Sequence, residues 1–270
     1  CMAKLLPKQP REHTPGTPAL HHAHAPRPEG QSLLTPTASA RIASFAAALL
    51  LMLLALAAAV FINAANVGLL QQAVDQYVVA PGILIQPDGQ AFAADTLAYL
   101  SGTTAVWNPD LATGDHRIAV PDAFKAHMAN VRQWVRTAMI ALPLAAVIAL
   151  LLLALAVTGG IGKRKTRFSL LGYYAGAAVP LALAGGLVLW AFVGFDGMWA
   201  WLHRTFIPDG IFNAGEEIMR LFPLQMFSSY LQPVAVAFGL FAVAVLLLPF
   251  ALLPLSQKLH ARRANKNLQG

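Results

Sequence analysis

"TAMIALPLAAVIALLLLALAVTGGIGKRKTRF", Thr137 to Phe168, contains no charged residue before Lys163 and then four basic residues in five positions. A helix in a soluble domain keeps one polar face, whereas a helix apolar on all sides is buried in a core or in lipid. About 20 such residues, rising 1.5 Å each, cover the roughly 30 Å of bilayer hydrocarbon. This stretch therefore predicts a membrane span that stops at a basic cluster. Three further uncharged runs, Ile42–Asn66, Phe168–Phe195 and Leu221–Gln257, are each long enough to do the same. The last is more polar at its start, at Gln225, Ser228, Ser229 and Gln232, which places its span later. The four expected spans are about 42–63, 138–161, 168–194 and 233–255. Composition agrees: 57% of the 270 residues are hydrophobic and 11% are charged, against about 25% charged in soluble domains.

Lys and Arg flanking a span are retained on the cytoplasmic side during insertion. The N-terminal segment (Lys4, Lys8, Arg11, Arg27, Arg41), the link between spans two and three (Lys163, Arg164, Lys165, Arg167) and the C-terminal tail (Lys258, Arg262, Arg263, Lys266) hold thirteen of the nineteen basic residues. Only two of the twelve acids, Glu12 and Glu29, accompany them. Both termini are thus expected in the cytoplasm, with the segments 64–137 and 195–232 on the outer face. The net charge of +7 follows from this topology, and no basic stripe or motif points to nucleic acid.

Residues 1–40, rich in Pro, His, Thr and Ala without periodicity, read as a disordered cytoplasmic tail, and 257–270 as a basic cytoplasmic tail. His21, His22 and His24 lack the fixed geometry of a metal site. Cys1, the sole cysteine, excludes disulfides and thiolate metal sites from the outer segments. It precedes Met2, the expected natural start. The first span is too long in its apolar core for a signal peptide and reads as a signal anchor.

In the first outer segment, turn signals at "APG", "PDG" and "LSGTT" separate short elements. "YVVAPGILIQ" (77–86) and "HRIAV" (116–120) predict strands, and "AADTLAYLSG" predicts a helical turn ended by Gly102. The expected fold is a mainly α membrane protein, a four-helix transmembrane bundle topped by a small β-rich extracytoplasmic cradle. From Phe124 the apolar period becomes helical, so one helix should run from the cradle into span two, with His127 on the face of Phe124, Val131 and Trp134. The short link 159–167 predicts that spans two and three are antiparallel neighbours. In span three, Gly172 and Gly176 form a small-xxx-small pattern that favours close helix packing. Trp190, Trp199 and Trp201 read as an interfacial belt at its outer end.

The spans lack Asp, Glu, Lys, Arg and His, which argues against an ion or proton transporter, whose mechanism needs such groups at mid-membrane. Ionisable residues gather instead beside the outer ends of the spans: His116, His127, His203, Arg132, Arg136, Arg204, Arg220, Glu216 and Glu217. His127 at the start of one span and His203 just after another could converge at the depth of lipid ester groups.

Three segments carry a resemblance. "AFKAHMANVRQWV" (123–135) resembles the H-M-x-D-V-K segment of the four-span bacterial integral membrane proteins that include the lipoprotein intramolecular transacylases. "WLHRTFIPDGIFNAGEEIMRLFPLQMF" (201–227) resembles their second histidine signature, and "DTLAYLSG" (95–102) their Y-L segment. Asn130 stands where the family has an acid, Phe206-Ile207 where it has two phenylalanines, and Ile211 or Phe212 where it has a tryptophan.

The resemblance implies a bacterial cytoplasmic-membrane enzyme that moves the sn-2 acyl chain of a diacylglyceryl-cysteine lipoprotein to the α-amine of the same cysteine, with His127 and His203 as the catalytic pair. Its partners would be the diacylated lipoprotein and membrane lipids, with no cofactor and no metal. The residues are compatible with this chemistry, since an amine attacking an ester in its own molecule gains from proximity and needs no enzyme nucleophile. Histidine serves as base or acid near neutral pH. Arg204, Arg220, Arg132 and Asn130 are candidates for substrate or oxyanion contact. Two other readings stay open: a metal-dependent lipid hydrolase using His116, His127, His203 and an acid, and a non-catalytic protein binding lipid or a partner through its cradle.

Overall fold

The computed structural model describes residues 38–86, 88–107, 109, 111–113, 116–158, 168–208 and 215–268. The His21–His24 tract, the link 159–167 and Ile211–Phe212 lie outside them. The described elements are α1 (Ala38–Ala64), α2 (Val67–Val74) continued by a π-turn (Asp75–Val79), α3 (Asp88–Ser101), β1 (Ala112–Thr113), β2 (His116–Arg117), α4 (Asp122–Thr158), α5 (Leu170–Phe206), a 3-10 turn (Glu217–Leu221), α6 (Leu224–Ser228) and α7 (Leu231–Leu268). Among the described residues four helices are long and apolar enough to cross a membrane: α1, α4, α5 and the Leu231–Leu255 part of α7. They follow one another in the order of the four apolar runs of the sequence, α4 beginning sixteen residues before the expected start of its span and α5 ending twelve residues after the expected end of its own. The described part of α1 begins at Ala38, and α7 runs on through most of the residues expected as a basic tail.

Spans two and three are not the packed neighbours that their short link predicted. α1 is the hub, with α4, α5 and α7 each laid against it, while α4 and α5 make little backbone contact. Small residues decide this. Ala47, Ala48 and Ala59 of α1 are fully buried, and α5 meets α1 through Gly172 and Gly176. A Cβ at Gly172 would stand 2.6 Å from the Arg41 carbonyl oxygen, and one at Gly176 would run into the Phe45 carbonyl. In lipid, where burial of apolar area drives little, such backbone approach supplies the attraction. Buried polar groups add direction: Ser169 caps α5 by accepting from the Gly172 amide at 3.1 Å, and its own amide donates to Ser44 Oγ at 3.2 Å. The Tyr173 hydroxyl donates to the Val245 carbonyl at 2.7 Å and ties α5 to α7.

The segments between α1 and α4 and between α5 and α7 gather over one end of the bundle as a cap. The expected β-rich cradle is instead helical; among the described residues its only strand pairing is the two-residue antiparallel ladder of β1 and β2, with Thr113 opposite His116. "HRIAV" thus supplies two strand residues, and "YVVAPGILIQ" supplies none. Val74 and Val78, one helical turn apart, are both fully buried, so the apolar face of α2 continues through the π-turn. Gly89 lets the first turn of α3 approach Val79 and Val74. Core packing here overrides the β-propensity of the valines. The helix read in "AADTLAYLSG" is present, and it ends where expected, at Gly102 with φ +88°.

Candidate functional site: two imidazoles under an aromatic cap

α4 enters the cap before it enters the bundle, as its apolar period predicted. Phe124 and His127, one turn apart, both point into the cap core; His127 is 8% exposed. Trp134, expected on the same face, lies at the surface, 50% exposed. Phe124 is one wall of an aromatic box. Its ring centroid lies 5.2 Å from Phe222 and 5.7 Å from Trp107; Phe92 meets Phe222 edge-on at 5.4 Å. Trp107 satisfies its indole by donating to Thr96 Oγ1 at 3.2 Å. The His127 ring sits 5.8 Å from Phe124, at the edge of this box.

α5 supplies the second ring. Its 37 residues extend about 55 Å at 1.5 Å per residue, well beyond the roughly 30 Å of bilayer hydrocarbon. The uncharged run ends beside a break in the helix, at Gly194 with φ −169° and ψ 86°, and the turns beyond this break carry Asp196, His203 and Arg204. On this end segment Trp199 and His203 share a face. The Trp199 ring stacks on Phe227 at 4.5 Å and contacts His203 at 4.5 Å. Trp199 is therefore turned inward, while Trp190 and Trp201, paired at 5.6 Å, remain exposed as an interfacial belt would be.

The two histidines, far apart in the chain, meet: their ring centroids are 6.2 Å apart with planes inclined by 31°. His203 Nδ1 lies 3.3 Å from the Trp199 carbonyl oxygen. A carbonyl only accepts, so this contact selects the tautomer with Nδ1 protonated and leaves Nε2 as the ring's lone pair. Burial lowers the His203 pKa from its ordinary 6.5, partly offset by that same backbone contact. A low pKa and a free Nε2 are the properties of a base that is neutral and ready at neutral pH.

The other candidates divide. The Arg132 guanidinium sits 4.6 Å over the Tyr99 ring, and Nη1 donates to the Ala105 carbonyl at 2.9 Å. It holds the loop after α3 onto α4. Arg204 and Arg220 are exposed on the cap surface. Asn130, one turn beyond His127, lines a crevice of about 170 Å³ with Gln133, Trp134 and Phe206, next to the imidazoles along both helices. His116 falls on β2, and its side chain is not among the described ones. Among the described residues no three His, Cys, Asp or Glu side chains converge as metal ligands would. Sequence reasoning missed the aromatic box of Phe92, Trp107 and Phe222, and the stacking of Phe227 on Trp199.

Fold and site together define a four-span helical bundle that brings two imidazoles together beneath an apolar cap at one of its ends. Comparison of the chain with protein-family models, with curated proteins and with solved structures finds no match.

Proposed function

We propose that this chain is an acyltransferase of the bacterial cytoplasmic membrane that moves the sn-2 acyl group of a diacylglyceryl-cysteine lipoprotein to the α-amine of the same cysteine. The cap would lie on the outer face and both termini in the cytoplasm, as the distribution of basic residues predicts. The observation that carries the reading is the 6.2 Å approach of His127 and His203. With the two rings this close, an amine nitrogen and an ester oxygen of one substrate can each come within hydrogen-bond reach, roughly 2.6–3.2 Å, of one imidazole.

In this reading the α-amine nitrogen attacks the sn-2 ester carbon and forms the new N–C bond. His203 Nε2 takes the proton that the nitrogen sheds. The ester C–O bond then breaks, and His127 gives a proton to the departing glycerol oxygen. One proton is taken and one given, so exchange between the two rings and solvent restores the pair. The aromatic walls exclude water, which would otherwise compete with the amine for the ester. Asn130 in its crevice is the polar group best placed to orient the peptide.

The product is an isomer of the substrate, so total mass does not report it. In a bacterium whose lipoproteins are diacylated, fragmentation spectra of the N-terminal lipopeptide should show an N-acyl group and a free glycerol hydroxyl when the chain is expressed. Expression of His203→Ala should leave both acyl groups on glycerol. Spectra unchanged by the wild-type chain would defeat the proposal.

A further inference from the structure

A second cavity, of about 560 Å³, lies away from the histidine pair, between α2 and the start of α7. Helical spacing builds its walls. Leu69, Gln72, Ala73 and Gln76 form one face of α2 and its π-turn, and Gln232, Val236 and Leu240 lie one turn apart along α7. Along α7 the lining changes character: Ser229, Tyr230 and Gln232 stand at or just before the start of the helix, and Val236, Ala237 and Leu240 follow further along it. α2 and its π-turn contribute Gln72 and Gln76. From Gln232 to Leu240 the cavity follows α7 for about 12 Å, down a helix apolar enough to cross a membrane.

None of the described lining residues is charged. Amides and hydroxyls can donate to the oxygens of esters and can both donate to and accept from hydroxyl groups, but none of the described lining residues is a cation that would hold a phosphate or carboxylate. Burial pushes the Tyr230 hydroxyl up to about 12, which keeps it a neutral donor. The volume falls in the range of small-molecule sites, roughly 300–1,000 Å³.

We infer that this cavity is a binding site for one uncharged glycerolipid, its hydroxyl and ester groups held by Gln72, Gln76, Gln232 and Tyr230 and its acyl chain lying against Val236 and Leu240. The inference does not depend on the reaction proposed for the histidines, with which the cavity shares no residue. Phe227 stacks on Trp199 and Ser229 and Tyr230 line the cavity, so occupancy would bear on the turn that backs His203.

The test is native mass spectrometry of the full chain released from detergent micelles after titration with 1-oleoylglycerol, with oleate, with lysophosphatidylglycerol or with the hydrocarbon octadecene. One 1-oleoylglycerol should be retained, at least tenfold more tightly than either anionic probe. Val236→Trp, at a side chain 59% exposed, should fill the apolar part and weaken retention tenfold or more, and Leu240→Trp provides a second variant should the first fail to fold. Gln72→Leu combined with Gln76→Leu should abolish the preference for 1-oleoylglycerol over octadecene. Equal binding of an anionic probe, or unaltered retention by the folded tryptophan variants, would overturn the inference.

Discussion

The Trp199 ring lies 4.5 Å from that of His203, and the Trp199 carbonyl faces His203 Nδ1 at 3.3 Å. One residue thus both buries the imidazole and fixes its tautomer, the first through its side chain and the second through its backbone. Replacing the side chain removes the burial and leaves the backbone contact in place.

This separation yields a pH prediction. Since burial lowers the His203 pKa, the acid limb of the proposed acyl-transfer reaction should fall below pH 6.5, the ordinary histidine value. Trp199→Ala should move that limb up toward 6.5, measured as rate against pH for a synthetic diacylglyceryl-cysteine peptide in micelles. The linkage to stability has a definite sign. As pH drops, the unfolded chain binds the proton first, so stability at this residue is complete above pH 6.5 and is lost as pH falls through the lower folded value. An acid limb unmoved by Trp199→Ala would separate His203 from the proton transfer.

The aromatic box makes the cap a cooperative unit. Phe92 is 2% exposed and meets both Trp107 and Phe222, so Phe92→Ala should cost about 3–5 kcal/mol. The loss should be confined to the cap. Hydrogen exchange in detergent should show amides of α2 and α3 exchanging faster while those of α1 and the apolar part of α5 keep their protection.

The bundle depends on backbone approach, which Gly176→Ala tests. The added methyl group would meet the Phe45 carbonyl, and overpacking of this kind costs about 1–3 kcal/mol. A lowered unfolding midpoint in detergent is expected, larger than that of Gly185→Ala, because nothing lies within 4 Å of a Cβ at Gly185.

Arg132 separates a structural role from a catalytic one. Its partners are Tyr99 and the Ala105 carbonyl, so Arg132→Gln should cost about 1–2 kcal/mol through the lost cation–π contact and charged hydrogen bond. The rate per folded molecule should change less than tenfold. A loss of two orders of magnitude in rate at unchanged stability would return Arg132 to the oxyanion role.

Much of this protein was legible in its chain because the bilayer imposes a simple requirement. Backbone groups in hydrocarbon must be satisfied within each segment, so the uncharged run at Thr137–Gly162 and its three counterparts specify helices directly. The continuous helix through Phe124 and His127 and the stop at Gly102 were equally local, one from a 3.6-residue period and the other from a residue free to adopt positive φ. The cap was not local. Tyr77, Val78 and Val79 favour a strand in isolation and became part of a helix once Val74 and Val78 had a common core to enter. The short link after α4 suggested an α4–α5 pair, but Gly172 and Gly176 fit only against a backbone as accessible as that of α1. The sequence by itself thus determined four helices, their order and the two histidines near their ends. Only tertiary structure decided that α1 stands at the centre, that α5 breaks at Gly194, and that His127 and His203 lie side by side. The reason is physical: a span is dictated by the solvent around it, whereas the meeting of two rings depends on every side chain packed between and beside them.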